Sequence, residues 1–137
     1  ESVVHIVNGC NDMAAAYLLT DYVISASTDP EAFGRVIVEA QAMGRPVIAT
    51  RHGGALETVT PGETGWLVAP SDPDEMARAI AAALDTPPEE RARMAEVCRR
   101  HARENYSREL MCARTLAVYA ELLGAEAPWA AGTDAAS

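Results

Sequence analysis

The feature that most constrains this chain is a pair of glutamates, Glu31 and Glu39, that enclose a glycine and the start of an aliphatic run. The run 35–43 predicts a helix, and Gly34 lies where a preceding loop would turn into it. The first backbone N–H groups of a helix, here from Gly34 to about Ile37, have no acceptor within the helix. An anion is the natural ligand there, and the two acids could accept hydrogen bonds from sugar or ribose hydroxyls beside it.

An acidic residue at a helix start often only complements the helix dipole, and this is the simpler interpretation. The pattern, however, extends well beyond the two acids. The letters AQAMGRPVIA, GGALE and PGETGWLV follow at 40–49, 53–57 and 61–68. In order and spacing, these segments and Glu31-x7-Glu39 resemble the nucleotide-sugar-binding domain of the retaining, GT-B-fold glycosyltransferases of family 4. The resemblance covers roughly residues 3–84 and involves four linked motifs.

The resemblance implies an α/β fold, a Rossmann-like parallel sheet with flanking helices that forms part of the C-terminal half of a GT-B fold. Apolar and β-branched runs predict strands at 3–7, 22–25, 47–50 and 65–68. A doubly wound domain of this kind has six strands in the order 3-2-1-4-5-6, so its first two strands are expected to be missing. We expect a donor-binding domain over residues 1–123 and a disordered tail over 124–137.

The resemblance also assigns roles to single residues. Glu31 would contact the hydroxyls of the donor sugar and is the candidate catalytic residue, while Glu39 would bind the ribose hydroxyls. In the family, backbone amides between the two glutamates reach the sugar and the diphosphate, which carries over to Phe33, Gly34, Arg35 and Val36. A second glycine-rich helix start, Gly53 and Gly54, is predicted to face the same crevice at the carboxyl ends of the strands.

One departure from the family pattern concerns the loop before the helix. The family places its first glutamate three positions after a serine, whereas Glu31 lies four positions after Ser27. We therefore expect a loop that is one residue longer. Arg35 and Arg51 could neutralise the diphosphate locally, or could be ordinary solvated arginines.

The resemblance implies a reaction as well. Retaining transfer in the family is thought to proceed by departure of the nucleoside diphosphate with attack of the acceptor hydroxyl on the same face, without a metal. Two other functions stay open on the sequence. They are a non-catalytic nucleotide-sugar-binding module and a sugar-nucleotide epimerase of the same fold.

Composition limits the class of protein and its partners. The 137 residues, 49% of them apolar, suffice for one domain with a core. A net charge of −9 argues against nucleic acid as a partner, because nucleic acid requires a basic surface. All eleven basic residues are arginine, so this chain alone offers no lysine for a pyridoxal-phosphate Schiff base or a P-loop. With no apolar run of about 18 residues and no signal-peptide pattern, we expect a cytoplasmic protein.

No metal cofactor is expected. The acids of Asp72-Pro73-Asp74 resemble a metal-holding pair, but Asp72 with Glu75 better fits a capping box that starts a helix ending at about Leu84. The three cysteines, Cys10, Cys98 and Cys112, lack metal-site spacing and are predicted to be buried free thiols.

The expected partners follow from the resemblance and from the missing strands. They are a nucleotide sugar, an N-terminal acceptor domain of the same polypeptide, and further copies of the chain through self-association. Any peripheral membrane contact would be made by that N-terminal domain.

Overall fold

The computed structural model describes residues 3–123, which form three strands and six helices. The strands are β1 Val23–Ser25, β2 Val47–Thr50 and β3 Gly65–Val68. The helices are α1 Met13–Leu18, α2 Arg35–Ala42, α3 Ala55–Thr58, α4 Pro73–Leu84, α5 Pro88–Tyr106 and α6 Arg108–Leu123.

The three strands of the described residues form one parallel sheet in the order β1-β2-β3. In its register, Val47 of the central strand is the partner of both Val23 and Gly65. All four residues of β2 are buried, as expected for a parallel strand that is covered on both faces. The α/β fold class predicted from the sequence is confirmed.

The core has two layers because successive residues of a strand point to opposite faces. On one face the core contains side chains from α1, α2, α3 and β2, namely Tyr17, Ile37, Ala40, Val47, Ala49 and Ala55, with Val59 beside them. On the other face it contains Ile48, Val68, Ala79 and Ala83, from β2, β3 and α4. Helices α1 and α2, which border the predicted site, therefore rest on a packed sheet.

The predicted strand at 3–7 is wrong. Residues 3–12 form no strand, and the side chains of Val3, Ile6 and Val7 are 96%, 87% and 78% exposed. A strand is stabilised by hydrogen bonds to a neighbour. The sheet of the described residues consists of β1, β2 and β3, and this segment lies outside it. The β-branched residues of this segment favour a strand locally, but local propensity alone does not form one.

The end of α2 determines how the chain enters the central strand. Gly44 adopts a positive φ of 71°, and its N–H donates to the carbonyl of Gln41 at 2.8 Å. The N–H of Arg45 donates to the carbonyl of Ala40 at 2.9 Å, which completes a Schellman motif. The glycine C-cap predicted from the sequence is therefore present, and β2 begins three residues later.

The predicted capping box of α4 is half formed. Asp72 accepts a hydrogen bond from the N–H of Glu75 at 2.8 Å, as an N-cap should. The carboxylate of Glu75 does not accept from the N–H of Asp72, as a complete capping box requires. It accepts from the N–H of Ala69 at 2.7 Å and from Arg51 at 3.0 Å. Glu75 thus ties the start of α4 to the ends of β2 and β3.

The chain divides into two compact units, and the boundary falls within α5, between Ala102 and Arg103. In the first unit, Met94, Cys98 and Ala102 form the buried face of α5. Burial raises the pKa of the Cys98 thiol to about 12. The other two cysteines are exposed, so the prediction of buried thiols holds for Cys98 alone.

In the second unit, Ser107 precedes α6 and accepts a hydrogen bond from the N–H of Leu110 at 3.3 Å. Within residues 3–123, no helix has the length and apolar character needed to cross a membrane. The predicted tail at 124–137 lies outside the described residues.

Candidate functional site

The loop after β1 and the start of α2 form the centre of the site. Gly34 is the N-cap of α2 and adopts a left-handed conformation, with φ 74° and ψ 59°, which glycine tolerates best. The N–H of Ile37 donates back to the carbonyl of Gly34 at 3.0 Å. The N–H groups of Arg35 and Val36 precede it and have no acceptor within the helix. These two amides are the part of the predicted anion site that the helix leaves available.

Glu31 lies beside this helix end. A Cβ atom built on Gly34 would be 3.8 Å from one carboxylate oxygen of Glu31, so the carboxylate lies over the N-cap. Its other oxygen accepts a hydrogen bond from the hydroxyl of Ser27 at 2.6 Å. Ser27, four residues earlier in the same loop, therefore orients the acid.

The carbonyl group of Ser27 is held in turn by the end of β2. It accepts hydrogen bonds from the hydroxyl of Thr50 and from Nε2 of His52, both at 2.8 Å. Because a carbonyl oxygen only accepts, Nε2 is the nitrogen that carries the proton in this arrangement. Nδ1 of His52 is buried and has no hydrogen-bond partner within residues 3–123. The end of β2 thus fixes the position of the loop that carries Glu31.

The glycine pair Gly53 and Gly54 packs against the backbone of the same loop. The N–H of Gly54 donates to the carbonyl of Glu31 at 2.7 Å. A Cβ on Gly53 would overlap the Glu31 carbonyl oxygen, and a Cβ on Gly54 would lie 2.6 Å from the Cα of Phe33. The pair therefore lies against the loop backbone, where only glycine allows the close approach. The N–H of Gly54, which the sequence predicted to face a ligand, donates to the loop instead.

Glu39 lies farther along α2, on the side that faces α1. Its carboxylate accepts from the hydroxyl of Tyr17 at 3.1 Å and from the guanidinium of Arg35 at 3.0 Å. Burial, the hydrogen bond to Glu39 and the negative charge of Glu39 all raise the pKa of Tyr17. The phenol therefore remains a donor to the carboxylate at neutral pH.

A groove of about 400 Å³ separates α1 from α2 and is lined by Tyr17, Arg35 and Glu39 together with Asn11 and Met13. Glu31 belongs to a different, smaller depression at the carboxyl ends of β1 and β2. The two glutamates thus border different sides of the first turns of α2. A ligand whose phosphates rest on the helix start could reach both acids with its two ends.

The remaining predicted residues surround the helix start. The side chains of Phe33 and Val36 are 45% and 40% exposed. The side chain of Arg35 is 84% exposed. Arg51 instead forms an ion pair with Glu75 of α4 at 3.0 Å and is held by that helix.

The sequence did not indicate four of the residues that build this site: Tyr17, Ser27, Thr50 and His52. Ser27 had a weak signal, because a serine four residues before an acid can bond its side chain in a tight loop. Tyr17 and His52 act on partners 22 and 25 residues away. No local pattern encodes contacts at that separation.

Residues 1–101 match the sequence model of a family described as Glycosyl transferases group 1. The chain belongs to this family. Among its relatives, the MMP alpha-(1->4)-mannosyltransferase of Mycolicibacterium hassiacum is 38% identical over 85% of this chain and 29% of that protein. The chain thus spans less than a third of the length of that curated relative.

Solved structures with the same fold are known. A glycosyltransferase from Rickettsia africae ESF-5 superposes with a TM-score of 0.81 and 38% identity, over 87% of this chain and 32% of that one. Anabaena HepE, solved in complex with UDP-glucose, gives a TM-score of 0.67 and 34% identity, over 75% of this chain and 29% of that one. These matches confirm the predicted Rossmann-like part of a GT-B glycosyltransferase. The finer assignment to family 4 stays a prediction.

Proposed function

We propose that this chain is the donor-binding part of a retaining glycosyltransferase that moves a sugar from a nucleoside-diphosphate sugar to an acceptor hydroxyl, in cell-surface polysaccharide or glycolipid synthesis. The observation that carries the proposal is the placement of Glu31 and Glu39 on two sides of one helix start. Between them, the N–H groups of Arg35 and Val36 suit a diphosphate. The UDP-glucose bound to Anabaena HepE is a ligand of this chemical class.

In this proposal the donor lies across the N-terminus of α2. Glu39 binds the ribose hydroxyls in the groove beside α1, the diphosphate rests on the helix start, and Glu31 contacts the sugar hydroxyls. The bond from the sugar to the diphosphate breaks while the acceptor oxygen bonds to the same sugar carbon from the same face, and the hydroxyl proton passes to the departing diphosphate. The helix dipole and the free amides stabilise the charge on the departing diphosphate, so no metal ion is required for that task.

The remainder of the enzyme would come from other parts of the polypeptide. The chain covers 29% of its mannosyltransferase relative, which leaves ample length for a domain that binds the acceptor. The edge of β1 also pairs with no other strand among residues 3–123, and an open edge of this kind favours addition of further strands. We propose that such strands, or a second copy of this chain, cover it.

The ribose role of Glu39 gives the first test. We expect Glu39→Ala to weaken binding of the free nucleoside diphosphate roughly tenfold or more, because hydrogen bonds to a charged group contribute about 1.5–3 kcal/mol each. Calorimetric titration of the 137-residue chain with UDP, GDP and ADP, and with their sugar conjugates, measures the effect and identifies the base. Glu96→Ala is the control, since Glu96 also pairs with an arginine of its own helix, Arg99, at 3.1 Å but lies on α5. Equal affinity of Glu39→Ala and the unaltered chain would refute the ribose role.

The sugar role of Glu31 predicts a different outcome. Glu31→Gln should weaken binding of the nucleotide sugar several-fold while leaving the affinity for the free nucleoside diphosphate unchanged, because the proposed partner of Glu31 is the sugar. The ratio of the two dissociation constants in the same variant is the measurement. A parallel loss for both ligands would mean that Glu31 acts on the nucleotide or on the loop as a whole.

A further inference from the structure

Glu39 is oriented by two donors that differ in rigidity. Arg35 reaches it from one helical turn away, but the Arg35 side chain is 84% exposed, and an exposed ion pair of this spacing contributes only about 0.3–0.5 kcal/mol. Tyr17 reaches it from the neighbouring helix α1. The tyrosine is only 5% exposed and belongs to the same core cluster as Ile37 and Ala40 of α2. Its ring is therefore fixed by packing, and its hydroxyl is a stationary donor.

The count of acceptor positions on the carboxylate is informative. An ionised carboxylate has about four lone-pair sites. Tyr17 occupies one on Oε2 and Arg35 one on Oε1. One site then remains on each oxygen, which matches the two donors of a vicinal diol. The side chain of Glu39 is 38% exposed, so these remaining sites are accessible from the groove.

We propose that Tyr17 is a positioning residue that holds the Glu39 carboxylate in the orientation in which its two free lone pairs meet the two ribose hydroxyls. This inference rests on the proposed function and deepens it. Without the phenol, the carboxylate would be free to rotate about its three side-chain torsions, and fixing it on binding would cost entropy that Tyr17 has already removed.

The proposal predicts an effect on ribose recognition and on nothing else. Tyr17→Phe removes one oxygen and keeps the buried ring. The probes are the nucleoside diphosphate that binds best among UDP, GDP and ADP, and its 2′,3′-dideoxy analogue. We expect the unaltered chain to prefer the ribonucleotide, and Tyr17→Phe to reduce that preference at least threefold. Affinity for the dideoxy analogue should stay within twofold.

Tyr22→Phe is the matched control. Tyr22 belongs to the same unit as Tyr17. Its hydroxyl is buried and, unlike that of Tyr17, has no hydrogen-bond partner within residues 3–123. It packs edge-on against Trp66 on the opposite face of the sheet. Its loss of a hydroxyl should leave the ribose preference unchanged.

The outcomes test the positioning role of Tyr17 separately from the ribose role of Glu39. A reduced preference in Tyr17→Phe alone supports the positioning role. An unchanged preference in Tyr17→Phe, or equal losses for both probes, overturns it and leaves the ribose role of Glu39 intact. If the unaltered chain itself does not prefer the ribonucleotide, Glu39 does not bind the ribose. The proposed role of Glu39 then falls together with that of Tyr17.

Discussion

Gly65→Ala should lower the free energy of unfolding by more than about 3 kcal/mol, because the added methyl group overlaps backbone and not a movable side chain. Gly65 is the register partner of Val47 in the central strand. A Cβ at Gly65 would overlap the carbonyl oxygen of Val47 and lie 2.8 Å from its carbonyl carbon. The two strands would have to separate, and the sheet that supports both site loops would lose its pairing at that end.

A thermal melt followed by circular dichroism measures this effect. For a unit of about 100 residues, a loss of 3 kcal/mol corresponds to a decrease in Tm of more than about 10 °C. Gly62→Ala is the control from the same turn. Gly62 has a φ of 78° and nothing within 4 Å of a built Cβ, so it should cost only the conformational penalty of roughly 1–2 kcal/mol. If both variants lose the same stability, backbone conformation and not strand contact determines the cost at Gly65.

The sequence predicted the strands that have a local signature. Strands 47–50 and 65–68 match β2 and β3, and the run at 22–25 is one residue longer than β1. Each is a short apolar run whose neighbours are also encoded in the described residues. The run at 3–7 has an equally good local signature and fails, because strand formation depends on partners elsewhere in the chain. Propensity alone could not distinguish these cases.

In the site, too, the sequence predicted residues that are close together in the chain but not the contacts between distant ones. Glu31, Gly34 and Glu39 lie within one loop and the helix that follows it, so their spacing alone predicted that they border one helix start. Ser27 and Arg35, which donate to the two acids, are also local. Tyr17 lies 22 residues from Glu39, and a pattern of residue types does not specify such a contact. The glycine pair at 53–54 is intermediate. Its glycines predicted a second helix start at the crevice, but only the structure shows their close approach to the loop of Glu31 and Phe33.

That contact gives the prediction with the largest expected effect on ligand binding. Gly54 has φ −60° and ψ −19°, a helical conformation that alanine adopts readily, so propensity alone predicts that Gly54→Ala stabilises the chain by about 0.4–1 kcal/mol. The contact with Phe33 predicts the opposite. The methyl group would displace the loop backbone and break the 2.7 Å bond from the Gly54 N–H to the carbonyl of Glu31.

We therefore expect Gly54→Ala to lower the affinity for the nucleotide sugar on the order of a hundredfold, because displacing the loop removes about two charge-assisted hydrogen bonds of roughly 1.5 kcal/mol each. Calorimetry below the melting temperature of the variant measures this loss, and far-ultraviolet circular dichroism establishes that the sheet remains. Gly62→Ala should bind as the unaltered chain does, since its methyl group points into open space. A more stable Gly54→Ala chain with full affinity would show that the loop yields to the methyl group without moving Glu31. The glycine pair would then not position the acid, and the hydrogen bonds of Ser27 to Glu31, Thr50 and His52 would have to do so without it.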